Sequence, residues 1–178
     1  MNTVKKRPFV SVLTPTYNRR DYIPQFLKYF KQQTYPQSLM ELVVVDDGTD
    51  KVKDLFKGLN NVLYIYSKKR LTVGKKRNML NRYAKGYIRI HMDDDDYYPP
   101  NKVAHAVKKL MNSDRLIAGC SLTFCYIIKK QLLYKSGPFN RNHGIDGTFA
   151  YKKEYTYTHS YDEHKKIGLE TKFTNKFT

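Results

Sequence analysis

Short apolar runs alternate with stretches of helical spacing along the first 110 residues. Residues 9–14 (FVSVLT), 41–46 (ELVVVD), 62–66 (VLYIY) and 87–92 (YIRIHM) are brief, β-branched and nearly continuous in apolar character. That is the pattern of strands covered on both faces. Between them, Ile23, Phe26, Leu27 and Phe30 recur at helical spacing up to about Gln33. Asp21 is the candidate N-cap, Pro24 suits a first turn, and Tyr35-Pro36 stops the helix. Residues 50–58 predict a short helix, and 74–83 a longer one with Met79, Leu80 and Tyr83 on one face. Pro99-Pro100 opens a helix carrying Val103, Ala106, Val107 and Leu110. Beyond it lie a long β-type region at 116–129 with 131–134 as its partner, a strand at 149–151 and a helix over 170–177.

Strand and helix in alternation imply an α/β fold: a Rossmann-like, mostly parallel sheet flanked by helices, with a smaller β region after it. Ligands of such sheets bind beyond the carboxyl ends of the strands. Residues 14–19, 46–50 and 93–96 each follow a predicted strand, so one rim should carry all three.

At 178 residues the chain is expected to be a single domain with a core large enough to need no disulfides. No apolar run approaches a membrane span, and the apolar stretch after the basic start is too short for a secretory signal. Cys120 and Cys125 lack metal-site spacing and are expected to be buried thiols, consistent with a reducing, cytoplasmic setting. The net charge is +17, which calls for a phosphate-rich or otherwise polyanionic partner and is compatible with peripheral association at a membrane.

Asp93, Asp94, Asp95 and Asp96 contribute four of the 16 acidic residues, directly after a strand. Adjacent carboxylates repel one another and are suited to a hard divalent cation, Mg2+ or Mn2+, shared with phosphate. Asp46-Asp47-Gly48 ends another strand, where a carboxylate can accept from a nucleobase N–H or ribose hydroxyls. Gly74-Lys75-Lys76-Arg77-Asn78 opens a helix, whose start favours an anion, with Arg77 able to fork onto phosphate or carboxylate. Lys75 and Lys76 are expected on the solvated face, as are Lys68, Lys69 and Arg70. Together these parts describe a site for a nucleoside diphosphate. His91 is expected to be packed within its strand, and His143 and His159 to be surface or structural residues.

VSVLTPTYNR (10–19), VVVDDGTD (43–50), GKKRN (74–78) and YIRIHMDDDDYYPP (87–100) resemble, in order and spacing, the family-2 glycosyltransferases. GTFAYKKEY (147–155) and GLETKF (168–173) look like the family's acceptor-side segment and late acidic motif. The resemblance implies a single GT-A domain over 1–178. Its nucleotide-sugar half would cover about 9–110 and its acceptor half about 111–178, shorter than is usual for the family. It implies inverting transfer from a nucleotide-sugar, a UDP-sugar first, to a hydroxyl of a glycan or other acceptor, with Mn2+ or Mg2+ as cofactor. Pro15 and Tyr17 would line the nucleotide pocket, Asp47 would take the base N–H, and Arg77 would sit near the nucleotide. Asp93 to Asp95 stand in the place of the DXD motif, with Asp95 the first choice as metal ligand, Asp94 the second and Asp93 nearer the ribose. Glu170 would be the catalytic base, with Asp146, Asp162 and Glu163 in reserve.

Two other classes compete. A basic nucleic-acid-binding module fits the charge and the 14% aromatic content but not the acidic run, and no nucleic acid is expected as partner. A metal-dependent nucleotidyltransferase would use similar carboxylates on a similar sheet.

Overall fold

The computed structural model describes residues 6–139, 143–165, 168 and 170–174, with the side chains of 128 and 170 outside that description. Its centre is a six-stranded sheet in the order β3-β2-β1-β4-β8-β5. The parallel part comprises β1 (Val10–Thr16), β2 (Met40–Asp46), β3 (Val62–Tyr66) and β4 (Ile88–His91). Two antiparallel strands extend it: β8 (Ala150–Lys152) on β4, and β5 (Ile117–Ala118) on β8. Strands β6 (Thr123–Ile127) and β7 (Leu132–Ser136) form a separate hairpin, the pairing expected for 116–129 with 131–134.

Side chains alternate across the strands with period two, and each face builds its own core. Val10, Val12, Leu42, Val44, Ile88 and Ile90 face one cluster. The helices α1 (Ile23–Lys31) and α3 (Lys102–Met111) close it with Ile23, Phe26, Leu27, Phe30, Val103, Val107 and Leu110. Leu13, Val43, Val45 and Tyr151 face the other cluster, closed by α2 (Val73–Tyr83) through Leu80 and by α4 (Glu170–Phe173) through Phe173. Each fully buried Val, Leu, Ile or Phe contributes about 1.5–3 kcal/mol relative to exposure, so the sheet is held mainly by these two layers.

Some boundaries differ from the sequence expectation. Tyr22, not Asp21, occupies the N-cap of α1 and makes no side-chain cap bond; Asp21 is exposed. At α3 a distant residue does the capping, because Gln33 Oε1 accepts from Val103 N at 3.0 Å. Residues 50–58 form only a 3-10 turn, Lys53–Phe56. Tyr83 of α2 is exposed and Met79 half-buried, while Lys76, Arg77 and Asn81 are buried in their place. Cys120 and Cys125 are free thiols as expected, but Cys120 is exposed and Cys125 half-buried, since their segment lies outside both cores. The C-terminal helix is Glu170–Phe173; positions 175–178 lie outside the described residues.

One close approach sets how β4 enters the sheet. Gly86 N donates to Ser11 Oγ at 2.7 Å, Ser11 Oγ donates to Glu41, and Glu41 also accepts from Lys85 N at 2.7 Å. A Cβ at Gly86 would lie 2.3 Å from Ser11 N, which is backbone and cannot step aside. Gly86→Ala is therefore expected to cost about 1–3 kcal/mol, read as a lower midpoint in urea unfolding with an unchanged slope.

Candidate active site

The strand order reverses between β1 and β4, which makes their carboxyl ends a switch-point crevice. Residues after β2, β1 and β4 meet there, on three adjacent strand tips. Asn18 sits in a left-handed turn (φ 51°) after β1. Its Oδ1 accepts from Asp50 N at 3.1 Å and from the Thr49 hydroxyl at 3.2 Å. Gly48 is required at that seam, because a Cβ on it would come 2.6 Å from Asn18 N. Asp46 is fully buried and serves the turn itself, accepting from Gly48 N at 2.8 Å and from the Tyr64 hydroxyl.

Asp47 has a buried side chain enclosed by donors. Its Oδ1 lies 2.8 Å from Lys76 Nζ and 2.9 Å from Arg70 Nη1, and Oδ2 accepts from Leu71 N at 2.6 Å. Lys76 also donates to Thr16 O at 3.0 Å. Burial pulls the Lys76 ammonium pKa down, and its hydrogen bond to Asp47, with the charges of Asp47 and Asp94, opposes that. The guanidinium of Arg70 covers the Tyr17 ring at 3.1 Å from its centroid. Lys76 and Arg70 were expected on the solvated surface. Both belong to this recess, and their only mark in the sequence was their position just before and inside the helix that follows Asp47. Pro15 lies within β1, half-buried, two residues before Tyr17.

The acidic loop is tied down residue by residue. Arg77 Nη2 lies 2.9 Å from Asp93 Oδ1 and 2.8 Å from Asp146 Oδ2, and Arg77 Nε donates to Asp146 Oδ2 at 3.1 Å. The Arg77 side chain is 3% exposed, so it bridges two loops rather than reaching into open space. Burial would raise the Asp146 carboxyl, but Arg77 and His91 outweigh it and hold it well below the usual carboxylate range. His91 is packed as expected, with its ring nitrogens bonded to Asp146 O and the Tyr151 hydroxyl, both at 2.9 Å. Asp95 pairs with Arg19 at 3.0 Å. Asp93 N donates to the Tyr98 hydroxyl at 2.6 Å, and burial pushes the Asp96 carboxyl up. Lys102 lies beside Asp93 and Asp96, its ammonium lowered to about 8 chiefly by burial.

Asp94 Oδ2, Asp93 Oδ1 and Thr16 Oγ1 are all buried with no hydrogen-bond partner among the described residues; Asp93 Oδ1 is met by Arg77 Nη2 at 2.9 Å, and Asp94 Oδ2 has no such ion pair. Burial raises the Asp94 carboxyl to about 6, opposed by the nearby Thr16 hydroxyl and the Arg19 charge and aided by the charges of Asp95 and Asp93. Among the described residues, no three Asp, Glu, His or Cys side chains converge as a ready metal cage. An orphaned carboxylate oxygen beside a second carboxylate nevertheless fits Mg2+ or Mn2+, which keep only one or two protein carboxylates and fill the shell with water and phosphate.

The segment that carries two of the reserve bases, Asp162 and Glu163, is clamped to α2 and its N-cap. Thr72 donates to Glu163 O at 2.7 Å, and Asn78 Nδ2 donates to Tyr161 O and Glu163 Oε1, both at 3.0 Å. Asp162 Oδ1 accepts from His164 N at 2.9 Å. The Glu170 backbone opens α4, and its side chain lies outside the described residues.

A family profile described as Glycosyl transferase family 2 matches residues 11–171. The chain belongs to this family. Within it, the chain is 35% identical over 92 residues to the poly(ribitol-phosphate) beta-N-acetylglucosaminyltransferase TarS of Staphylococcus aureus (strain Mu50 / ATCC 700699), covering 49% of this chain and 16% of TarS. It is 28% identical over 110 residues to the putative teichuronic acid biosynthesis glycosyltransferase TuaG of Bacillus subtilis (strain 168), covering 59% of this chain and 43% of TuaG. The solved S. aureus TarS 1-349 in complex with UDP-GlcNAc superposes with a TM-score of 0.74 at 21% identity, covering 94% of this chain and 52% of that one. The mannosyltransferase PcManGT from Pyrobaculum calidifontis, in complex with GDP-Man and Mn2+, gives 0.75 at 21% identity, covering 97% and 51%. These likenesses establish the GT-A fold. This family-2 chain spans about half the length of those solved structures and less than half of the curated relatives TarS and TuaG.

Arg77→Met would strand Asp93 and Asp146 as unpaired, largely buried carboxylates, an expected loss of about 3–5 kcal/mol. Because the Asp146 pKa is depressed on folding, its pairing stabilises above the unfolded aspartate value of 3.8 and is lost as pH falls through and below it. The gap between the unfolding curves of the wild type and Arg77→Met should therefore be constant from pH 7 to about 5, begin to narrow below about pH 4, and remain largely open at pH 3, because the folded-state value lies well below that.

Proposed function

We propose that this chain is the donor-binding and catalytic core of an inverting glycosyltransferase that uses a nucleotide-diphosphate sugar, a UDP-sugar first. The observation that carries the reading is the meeting of the Tyr17–Asp47 recess and the acidic loop on adjacent strand tips. Strands lie about 4.8 Å apart, so the ends of β2 and β4, separated by β1, are about 10 Å apart, a span that a nucleoside diphosphate bridges. TarS, the 35% identical relative, has been solved with UDP-GlcNAc, which supports uridine as the first nucleoside to test. The positive side chains at the rim, Arg19, Arg70, Lys76 and Arg77, are each paired with a carboxylate. That arrangement favours a compact donor site over a groove that tracks a nucleic-acid backbone.

In this reading residues 9–110 hold the donor and 111–178 present the acceptor, a hydroxyl of a glycan or other polyol. The base stacks on Tyr17 beside Pro15 and donates its N–H to Asp47. Arg70, with a side chain 56% exposed, moves off the ring to admit it, while Lys76, 5% exposed, stays on Asp47. Arg77 positions Asp93 beside the ribose by holding it to Asp146. Asp94 and Asp95 would hold Mn2+ or Mg2+, which when bound supplies positive charge to the leaving diphosphate. Asp95 must first release Arg19, and that side chain then becomes available to phosphate.

Glu170 is the proposed base. Its carboxylate takes the proton of the acceptor hydroxyl as that oxygen attacks the anomeric carbon, and the bond to the diphosphate oxygen breaks with inversion. The reserve candidates are engaged elsewhere: Asp146 by Arg77, Asp162 by backbone N–H groups, and Glu163 by Asn78.

A thermal-shift series with UDP, GDP, UDP-GlcNAc and GDP-mannose, each with and without Mn2+, tests the proposal. The expected result is stabilisation by uridine nucleotides that grows with concentration and requires the metal. Tyr17→Ala should weaken UDP about 5–150-fold, the loss of one base–aromatic stack, while the melting temperature without ligand stays the same. Stabilisation by none of the four compounds would overturn the reading. A second measurement follows from Asp94. Its carboxyl, raised to about 6, is protonated below that pH, so Mn2+-dependent donor binding should fall about tenfold per unit there, and Asp94→Asn should remove that slope together with most of the metal dependence.

A further inference from the structure

The hairpin of β6 and β7 stands outside both cores. Its strands pair only with each other, and no residue of it belongs to either buried cluster. The register sets Phe124 opposite Lys135 and Tyr126 opposite Leu133 on one face, and Cys125 opposite Tyr134 and Ile127 opposite Leu132 on the other. Both faces are apolar and open: Phe124 is 62% exposed, Tyr126 58%, Leu133 61% and Leu132 51%. A two-stranded ribbon is marginal in water by itself, and exposed aromatic and leucine side chains on both its faces add to the cost. The charge pattern is as one-sided as the exposure. Between Asp114 and Asp146 there is no acidic residue, while Arg115, Lys129, Lys130, Lys135 and Arg141 are basic. Lys129 and Lys130 lie exposed in the turn that joins the strands.

We infer that this hairpin is a docking element for a lipid bilayer that carries anionic headgroups. A protein partner would cover one face and leave the other wet. The boundary between headgroups and acyl chains closes around both. Tyr126 and Tyr134 present the amphipathic rings favoured at that depth, and the lysines extend their stems along apolar surface to reach phosphates. A second copy is the less favourable occupant, because it would bring two ribbons of like charge together without one carboxylate between them. The hairpin stem is tied to the segment bearing Asp146: Ile145 N donates to Cys120 O and Cys120 N donates to Thr148 Oγ1, both at 2.9 Å. A hairpin seated on lipid thus holds that segment near the surface. The inference stands on the hairpin alone and does not depend on the nature of the donor.

The test is co-sedimentation of the full chain with vesicles of phosphatidylcholine alone or mixed with phosphatidylglycerol. Binding to the mixed vesicles only is expected. The paired change Lys129→Glu and Lys130→Glu should weaken it by at least about tenfold, and Phe124→Ser with Leu133→Ser by a similar factor, with circular dichroism unchanged. The chain contains no tryptophan, so Leu133→Trp supplies a single indole, excited selectively over the tyrosines, whose emission should shift to the blue on the mixed vesicles. Equal binding by all variants, which the +17 charge elsewhere could produce, overturns the inference, as does an unshifted spectrum. A dimer in sedimentation velocity that the Phe124→Ser and Leu133→Ser change dissolves would assign the face to a second copy instead.

Discussion

The buried guanidinium of Arg77 joins the loop after β4 to the segment that carries Asp146, and the geometry of the whole rim depends on that bridge. Taking three charges out of water is expensive, and well-packed apolar residues would often be as stable. What the bridge supplies is position. The acidic loop is joined to the sheet at one end only, and its carboxylates repel one another. An arginine with two carboxylate partners, backed by His91, Tyr151 and Tyr161, leaves Asp93 a single place to stand. The same contact spans the two halves of the chain, since α2 belongs to the first and Asp146 to the second.

The rest of the rim follows the same rule at lower cost. Asp47 is held by Lys76 and Arg70, Asp95 by Arg19, and Asp96 lies near Lys102. Each of these cations sits where a ligand's positive or hydrogen-bonding group would have to compete. The exposed ones, Arg19 and Arg70, can leave; the buried ones, Lys76 and Arg77, cannot without a charge being stranded. Asp94 is the exception, with a buried oxygen that neither a hydrogen bond nor an ion pair meets among the described residues and a carboxyl that burial raises.

The sheet was legible in the chain because its central strands β1, β2 and β4 are buried on both faces and the edge strand β3 is half-buried along its length. Runs such as VVVD have no amphipathic alternative, and the observed limits of β2 and β3 fall within one residue of the expected ones. Placing the three candidate segments on one rim followed from topology alone. The face of α2 was not legible. Met79, Leu80 and Tyr83 have helical spacing, but only Leu80 is buried, and the inward face is Lys76, Arg77 and Asn81. A buried cation looks like a surface cation in sequence, because its partners, Asp47, Asp93 and Asp146, are supplied by remote loops. The same blindness placed Arg70 in solvent. The cysteines differ from expectation for a related reason: an apolar segment reads as core in sequence, whereas its strands form a ribbon outside it.

The amino-acid sequence by itself determined the alternation of strand and helix, the parallel sheet, the family, and the rim on which the acidic residues gather. Those features depend on local period and on short motifs at strand ends, both of which survive in a linear string. Tertiary structure alone decided which carboxylates are paired, which one keeps an unmatched oxygen, and which apolar strands stay outside the core. Pairing and exposure are set by residues tens of positions apart, and only the closed fold brings them within bonding distance.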